Sequence, residues 1–176
     1  VKIFKAANLG ANIRKRGDDI KRGDSILPKG LRLRPQDLGM LAMLGIADVP
    51  VVRKPRVALL SSGDELTPIG QPLSAGKIYD VNSYTLGAML EANGCEIIPL
   101  GVAADTPESI KAALAKAQDA DLIVSSAGVS MGSFDFIKDI IEKDGELNFW
   151  RINMRPGKPL TFGHYQNLPF IGLAGN

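Results

Sequence analysis

The stretch DLIVSSAGVSMGSFDFIKDIIEKDG, residues 121–145, decides the class of the fold. It begins with a short run of branched apolar residues, which is typical of a buried strand, and continues into a loop of glycines and serines. Apolar residues then recur at helical spacing at Phe136, Ile137, Ile140 and Ile141. The stretch therefore predicts a strand, a loop of small residues and a helix in succession.

The same succession of strand and helix patterns recurs from Arg56 to the end of the chain. Strands that are separated by helices of about a dozen residues predict an α/β fold, in which a mainly parallel sheet carries helices on both faces. The patterns are apolar strands at 57–61 and 95–102, helices at 82–94 and 106–117, an alternating strand at 147–154 and a hairpin at 159–173.

Two helix starts carry capping signals. Thr106 is a predicted N-cap, because Pro107 follows it at the first helical position. In the helix before it, Asn82 or Ser83 is the predicted cap. These signals place the preceding loops at the edge of the sheet where its strands end, and that edge is where open α/β sheets bind ligands.

The first third of the chain has a different composition. Residues 12–34 are basic and punctuated by glycines, which suits short strands and turns, and a helix pattern follows at 35–46. We therefore expect a small β-rich and helical segment from a neighbouring domain at 1–54, and an α/β domain at 55–176. Because the chain starts without Met and stops directly after a strand, we also expect an internal segment of a longer protein, truncated at its C-terminal side.

Composition excludes several classes of function. A formal net charge of +2 is too small to argue for nucleic-acid binding, and no apolar run approaches the roughly 18 residues that span a bilayer. Cys95 is the single cysteine, so an internal disulfide is excluded and a buried, inert thiol in a reduced, cytoplasmic setting is expected. The single histidine, His164, falls at a predicted hairpin tip, where we expect it to be exposed.

Carboxylates follow three predicted strand ends. Asp64 and Glu65 come after the first strand, Asp105 after the second and Asp135 after the third. Each alone could fill a turn or cap a helix. Together at one edge they would repel one another unless a cation lay between them, and Mg²⁺ is the hard ion that one or two carboxylates and a substrate phosphate hold. The pattern indicates a magnesium site, for which Asp64 or Glu65, Asp105 and Asp135 are the candidate ligands.

The loop of small residues after the third strand has the character of a phosphate cradle. Its glycines let backbone N–H groups approach an anion, its serines add hydroxyl donors, and the following helix presents its positive end. It lacks the Gly-Lys-Ser/Thr of a Walker loop, and an ordinary turn is the alternative. The residues that we assign to ligand binding are Ser126, Gly128, Ser130, Gly132 and Ser133, with Gly63 and Asp64 of the first loop.

Positive side chains cluster in the stretch WRINMRPGKP, residues 150–159. In a strand, Arg151, Asn153 and Arg155 share one face, with the two arginines about 13 Å apart. Lys158 follows in a proline-rich turn. A solvated strand edge is one reading, and a clamp for an oxyanion is the other. An acid cluster beside such a clamp suits phosphoryl transfer.

These motifs resemble the MoeA family of molybdopterin molybdenumtransferases, which includes the gephyrin E domain. The resemblance rests on LLSSGDELTPIGQPLSAGKIYDVNSYTL, SSAGVSMGSFDFIKD and FWRINMRPGKPLTFG, in that order, and covers nearly the whole chain. It implies Mg²⁺ as cofactor, and molybdate and adenylylated molybdopterin as substrates. The implied reaction breaks the adenylate linkage, inserts molybdenum into the dithiolene and releases AMP.

The resemblance also implies roles for individual residues. It matches four acids and three basic residues to those of the family: Asp19, Glu65, Asp105, Asp135, Arg151, Arg155 and Lys158. Asp19 is assigned by the resemblance alone, and would close the cleft in a homodimer. A MogA-like enzyme is the implied partner in the pathway. The alternatives are a MogA-like adenylyltransferase and a non-catalytic scaffold like gephyrin.

The chain also departs from the family pattern. Ala127 stands where relatives have a further glycine, and Ala174 replaces a proline. The N-terminal portion and the C-terminal β-domain of the family are missing. A fragment without them is expected to bind ligand and could be inactive by itself.

Overall fold

A computed structural model describes residues 1–2, 4–126, 136–155 and 157–175 of the chain. It divides into two compact units, Val1–Val51 and Val52–Asn176. Each unit is described by itself.

The N-terminal unit contains helix α1, Pro35–Met43. The carboxylate of Asp37 accepts hydrogen bonds from the guanidinium of Arg34 (3.0 Å) and from its backbone N–H (2.9 Å). The guanidinium bond first, and then the backbone bond, lowers the pKa of Asp37, and together they fix the helix start. The short strands expected before Pro35 are not found among the described residues. Glycines with φ near +90°, such as Gly17 and Gly23, interrupt the extended backbone and leave turns instead.

The second unit is built on a six-stranded sheet, and the predicted α/β class is confirmed. The first four strands in spatial order are parallel to one another, and the last two are each antiparallel to their neighbours. That order is β4 (Glu96–Ala103), β1 (Arg56–Ser62), β5 (Leu122–Ser126), β8 (Leu168–Leu173), β7 (Pro159–Tyr165) and β6 (Gly145–Arg151). A separate parallel pair is formed by β2 (Leu66–Thr67) and β3 (Ile78–Tyr79).

Helices pack on both faces of this sheet. On one face, α3 (Pro107–Leu114) and α4 (Phe136–Asp144) bury their apolar sides against a core that includes Leu60, Ile123 and Phe170. On the other face, α2 (Asn82–Ala92) covers Val57, Leu59 and Val124. Alternate residues of β1 are thus buried in the cores on opposite faces of the sheet, which is why the sequence of this strand is a continuous apolar run.

One predicted cap is confirmed and the other is wrong. The Thr106 hydroxyl accepts a hydrogen bond from the Ser109 N–H at 3.2 Å. At α2 neither Asn82 nor Ser83 acts as the cap. The carboxylate of Asp80 instead accepts a hydrogen bond from the Ser83 N–H at 3.1 Å, because an acceptor three residues earlier reaches an orphan N–H equally well.

The hairpin prediction is confirmed, but His164 does not lie at its tip. The register pairs Tyr165 with Leu168, so the turn consists of Gln166 and Asn167. His164 therefore lies within β7, where its partly buried ring meets Phe162 edge-on at 6.3 Å between centroids. In the described part of the chain no helix is long and apolar enough to cross a membrane.

Candidate functional site

The carboxyl ends of β1 and β4 bring two of the predicted acids into direct contact. The backbone N–H of Asp105 donates to Asp64 Oδ1 at 3.1 Å, and the backbone N–H of Asp64 donates more weakly to Asp105 Oδ2 at 3.4 Å. Below them, the Gly63 N–H donates to the carbonyl of Ala103 at 3.2 Å. These reciprocal bonds hold the two loops together at the edge of the sheet.

Electrostatics at this acid pair favour a cation. Partial burial raises the pKa of Asp105 above its usual value, the hydrogen bond from Asp64 opposes that shift, and the negative charges of Asp64 and Glu65 add to it. A cation between the carboxylates would offset the repulsion between their negative charges. Among the described residues, however, no group of three or more His, Cys, Asp or Glu side chains is arranged to hold a metal. The magnesium site therefore stays a prediction.

The side chain of Glu65 folds back over Gly63. A Cβ atom placed on Gly63 would lie 2.7 Å from Glu65 Oε2 and 2.9 Å from its Cδ, which is too close for any real contact. The Glu65 carbonyl accepts a hydrogen bond from the Ile78 N–H at 2.8 Å. The ammonium of Lys77 donates to the Asp64 carbonyl, so a cation that sequence reasoning did not single out stands beside the acids.

Several predicted residues lie outside the described part of the chain: Asp135, Gly128, Ser130, Gly132 and Ser133. Ser126 is described and is the buried last residue of β5, opposite Ser61 in the register. In the N-terminal unit, the exposed Asp19 carboxylate accepts a hydrogen bond from the Arg14 guanidinium at 3.0 Å. The roles assigned to these residues stay predictions.

The predicted cationic cluster lies at the turn between β6 and β7. Strand β6 ends at Arg151, so Arg151, Asn153 and Arg155 do not share one strand face as expected. The backbone bends there, because two register irregularities precede Arg151 and the Ile152 N–H donates to the Lys158 carbonyl at 3.1 Å. The side chains of Arg155 and Lys158 are exposed in the turn.

Arg151 is held by an aromatic ring. Its guanidinium carbon lies 3.7 Å from the centroid of the Trp150 ring, and the ammonium of Lys138 lies 5.2 Å from the same ring. Cations over an indole are attracted by the ring quadrupole. Trp150 thus gathers two positive groups, one of which, Lys138, came from a helix that sequence reasoning assigned only to the core.

The acids and the cations share one edge of the sheet but do not meet. The turn after β6 lies at that edge because β7 runs antiparallel to β8. Between β1 and β6 lie β5, β8 and β7, which makes four strand spacings, or about 19 Å at ~4.8 Å each. A single ligand can touch both groups only if it is elongated.

A polar network beside the acid pair was missed by sequence reasoning. The buried Ser61 hydroxyl contacts the Ser83 hydroxyl at 2.7 Å and Asp80 Oδ1 at 3.2 Å. The side-chain amide of Asn82 donates to the carbonyl of Gly175 at 2.9 Å, joining the start of α2 to the loop after β8. The stretch YDVNS, residues 79–83, was the available signal, since it lies inside the motif that carried the resemblance.

Comparison with known proteins gives two family matches that together account for most of the chain. Residues 58–176 match the family described as "Probable molybdopterin binding domain". The chain belongs to this molybdopterin-binding domain family. Residues 1–45 match the family described as "MoeA N-terminal region (domain I and II)". The resemblance noted from the sequence motifs is confirmed.

Individual relatives agree with the family. The chain is 48% identical over 166 residues to the molybdopterin molybdenumtransferase of Haemophilus influenzae, covering 94% of this chain and 41% of the relative. It is 37% identical over 175 residues to the gephyrin of Dictyostelium discoideum, covering 92% of this chain and 24% of that protein. The MoeA crystal structure from Pyrococcus horikoshii matches with a TM-score of 0.84 at 38% identity, over 98% of this chain and 43% of that one. The chain thus spans less than half the length of these relatives.

Proposed function

We propose that the chain is part of a molybdopterin molybdenumtransferase, an enzyme of molybdenum cofactor biosynthesis. It would take adenylylated molybdopterin and molybdate, insert molybdenum into the dithiolene and release AMP. One observation carries the proposal: a MoeA-type N-terminal region and a molybdopterin-binding domain follow each other in a single chain. The relative from Haemophilus influenzae spans the same two regions and bears this name.

The geometry supports two separate binding regions along the sheet edge, one anionic and one cationic. Asp64, Glu65 and Asp105 form the anionic end, and with Asp135 they would hold Mg²⁺ against the substrate phosphates. Magnesium would supply charge neutralisation as the adenylate linkage breaks. The protein's own contribution is to hold the Asp64 and Asp105 loops together by their reciprocal hydrogen bonds, so that these two acids stay side by side before substrate arrives.

The cationic end would receive an oxyanion. Arg151, pre-organised on Trp150, with Arg155 and Lys158 in the turn, suits molybdate or a phosphate group. Strand β5, which ends at Ser126, lies between the two ends in the spatial order of the sheet. The glycine and serine residues that follow it in the sequence, up to Ser133, would cradle the central phosphates. Asp19 would close the cleft in a homodimer. We also propose that the protein works in the cytoplasm, with a MogA-like enzyme supplying its substrate.

Two alternatives follow from the same relatives. An adenylyltransferase would use this α/β domain without the N-terminal unit, so the match over residues 1–45 favours the transferase. A scaffold is suggested by the gephyrin relative, whose match also covers most of the chain. The match over residues 1–45 thus separates the transferase from the adenylyltransferase, and a measurement of AMP release separates it from the scaffold.

The test measures AMP release by chromatography after mixing the protein with adenylylated molybdopterin, molybdate and Mg²⁺. We expect Asp105→Asn to lower the rate at least about tenfold, because it removes one anionic charge from the proposed metal site. Asp119→Asn is the matched control, since Asp119 is exposed between α3 and β5. An adenylyltransferase would instead consume ATP with free molybdopterin, and a scaffold would release no AMP. Equal rates in the two variants would reject the assignment of the acid pair.

A further inference from the structure

Lys138 lies where the stability of α4 alone gives no reason for a lysine. It is in the first turn of the helix, and the partial positive charge of a helix start disfavours a cation there. Its ammonium lies 3.1 Å from Glu142 Oε1, but a lysine four residues before a glutamate is the weaker order for such a pair. The side chain is nevertheless only 24% exposed, so it lies against the protein surface. A role beyond the helix would account for this residue.

Trp150 brings Lys138 and Arg151 close together. The Arg151 guanidinium carbon lies 3.7 Å and the Lys138 ammonium 5.2 Å from the centroid of its ring. Because both distances end at one centroid, the two positive charges are at most about 9 Å apart, which is within the ~10 Å over which charges interact at 0.1 M salt. In the described part of the chain, no carboxylate forms an ion pair with Arg151. The ring thus concentrates positive charge at this point of the surface.

The side of α4 that carries Lys138 faces the cationic turn. The apolar side of the helix is buried in the core, and Lys138 and Glu142 share the side next to Trp150. Arg151 is the last residue of β6, so Lys138 stands where the turn begins. Lys143 of the same helix is exposed and lies about 140° around the helix axis from Lys138. It therefore provides a matched cation outside the cluster.

We propose that Lys138 is a further binding residue for the oxyanion at the cationic end, and that Glu142 competes with the oxyanion for it. A lysine ammonium is a compact charge with three donors on a flexible stem, so it can turn from Glu142 to an anion held by Arg151 while α4 stays in place. An anion beside both cations would also offset their mutual repulsion. The identity of the anion rests on the proposed function, which offers molybdate and the substrate phosphates. Their shared chemistry is a tetrahedral oxyanion.

The test uses Trp150, the single tryptophan of the chain, whose fluorescence reports on this cluster. The protein is titrated with sodium molybdate and, separately, with inorganic phosphate at constant ionic strength, and equilibrium dialysis measures the same binding directly. We expect Lys138→Met to raise the Kd about tenfold, because a charge-assisted hydrogen bond is lost, and Lys138→Arg to restore most of the affinity. Lys143→Met removes the same charge from the same helix and should change the Kd less than about twofold.

Glu142→Gln should have the opposite effect. Removal of the competing carboxylate should lower the Kd about two- to fivefold, since an exposed ion pair of this kind is weak. When Lys138→Met and Glu142→Gln are combined, the Kd should equal that of Lys138→Met, because Glu142 acts through Lys138. A purely structural lysine, or a general effect of charge, predicts instead that Glu142→Gln changes the Kd equally with and without Lys138.

Each outcome decides the inference. The oxyanion whose Kd responds to Lys138→Met is the one assigned to the cluster. Equal Kd values for wild type and Lys138→Met, an equal loss in Lys143→Met, or no binding of either anion to the wild type in dialysis at millimolar concentration would overturn it. Circular dichroism checks folding, and if Lys138→Met does not fold, an unchanged Kd in Glu142→Gln overturns the inference as well. Failure of the proposed function is distinguishable, because no pterin is present in these titrations: a protein that releases no AMP could still show this pattern.

Discussion

Replacing Gly63 by alanine tests the position of Glu65 without touching any charged group. The new Cβ would lie 2.7 Å from Glu65 Oε2, and ordinary van der Waals contact begins near 3.4 Å, so the carboxylate must move by at least about 0.7 Å. The clashing atoms belong to a flexible side chain, so this movement itself costs little stability. The backbone cost is separate: Gly63 has φ of +153°, and such a conformation costs a residue with a Cβ roughly 1–3 kcal/mol.

These magnitudes separate the effect on stability from the effect on the site. A loss of roughly 1–3 kcal/mol corresponds to a melting temperature lower by about 2–12 °C in a protein of this size. A misplacement of about 1 Å at reacting groups can lower turnover by roughly 100-fold. We therefore expect Gly63→Ala to remain folded at 25 °C while releasing AMP about 10- to 100-fold more slowly, with a weaker response to Mg²⁺.

The assay compares AMP release across a magnesium titration for wild type, Gly63→Ala and Gly87→Ala. Gly87 is the matched control, because its new Cβ would meet only Leu59 Cδ2 at an ordinary 3.8 Å and alanine favours its helix. Glu65→Gln should behave like Gly63→Ala if the carboxylate is the common cause. If Gly63→Ala turned over like wild type at every magnesium concentration, the reasoning that Glu65 must lie against Gly63 for activity would be refuted.

Three further predictions follow from other contacts. In initial-rate measurements, Trp150→Leu should raise the KM for molybdate about two- to fivefold with little change in kcat, because Arg151 loses a cation–π contact. Trp150→Phe keeps an aromatic ring under Arg151, so its KM should lie between those of wild type and Trp150→Leu. The hydrogen bond from the Arg53 side chain, and after it the bond from the Arg56 N–H, lowers the pKa of Asp121 to about 2. The contribution of the Asp121 carboxylate to stability is therefore complete above pH ~4 and is lost as the pH falls towards 2. The difference in melting temperature between wild type and Asp121→Asn should close over that pH range, and a difference that stays constant would contradict the prediction. Thr106→Ala should lower the free energy of unfolding by about 1 kcal/mol in urea titrations, since α3 loses its cap.

Local patterns predicted the elements well, because each pattern depends on neighbours in the chain. Thr106 and Pro107 marked the start of α3, and the buried run of β1 was recognised from its composition. Two local predictions were wrong: the residue that caps α2 and the position of His164 in its hairpin. Asp80, and not Asn82 or Ser83, accepts the hydrogen bond that caps α2. The hairpin turn has only two residues, so His164 lies within β7 and not at the tip.

The candidate site was predicted in part for the same reason. Asp64 and Asp105 come together because parallel strands end at one edge, which the alternation of strands and helices already implied. The distance from these acids to Arg151 could not be predicted, because it depends on strand order. No local pattern indicates that β8 and β7 lie between β5 and β6.

That strand order constrains the chemistry. With about 19 Å between β1 and β6, Mg²⁺ at the acids and an oxyanion at Arg151 cannot share one phosphate group. The two ends must instead grip different parts of an elongated molecule, or two different ligands. A compact anion such as molybdate would then occupy the cationic end alone, and its affinity should not depend on magnesium until a second, longer ligand joins the two ends. Molybdate titrations with and without Mg²⁺, repeated in the presence of AMP, would show this, and strong magnesium dependence of molybdate binding by itself would contradict the separation.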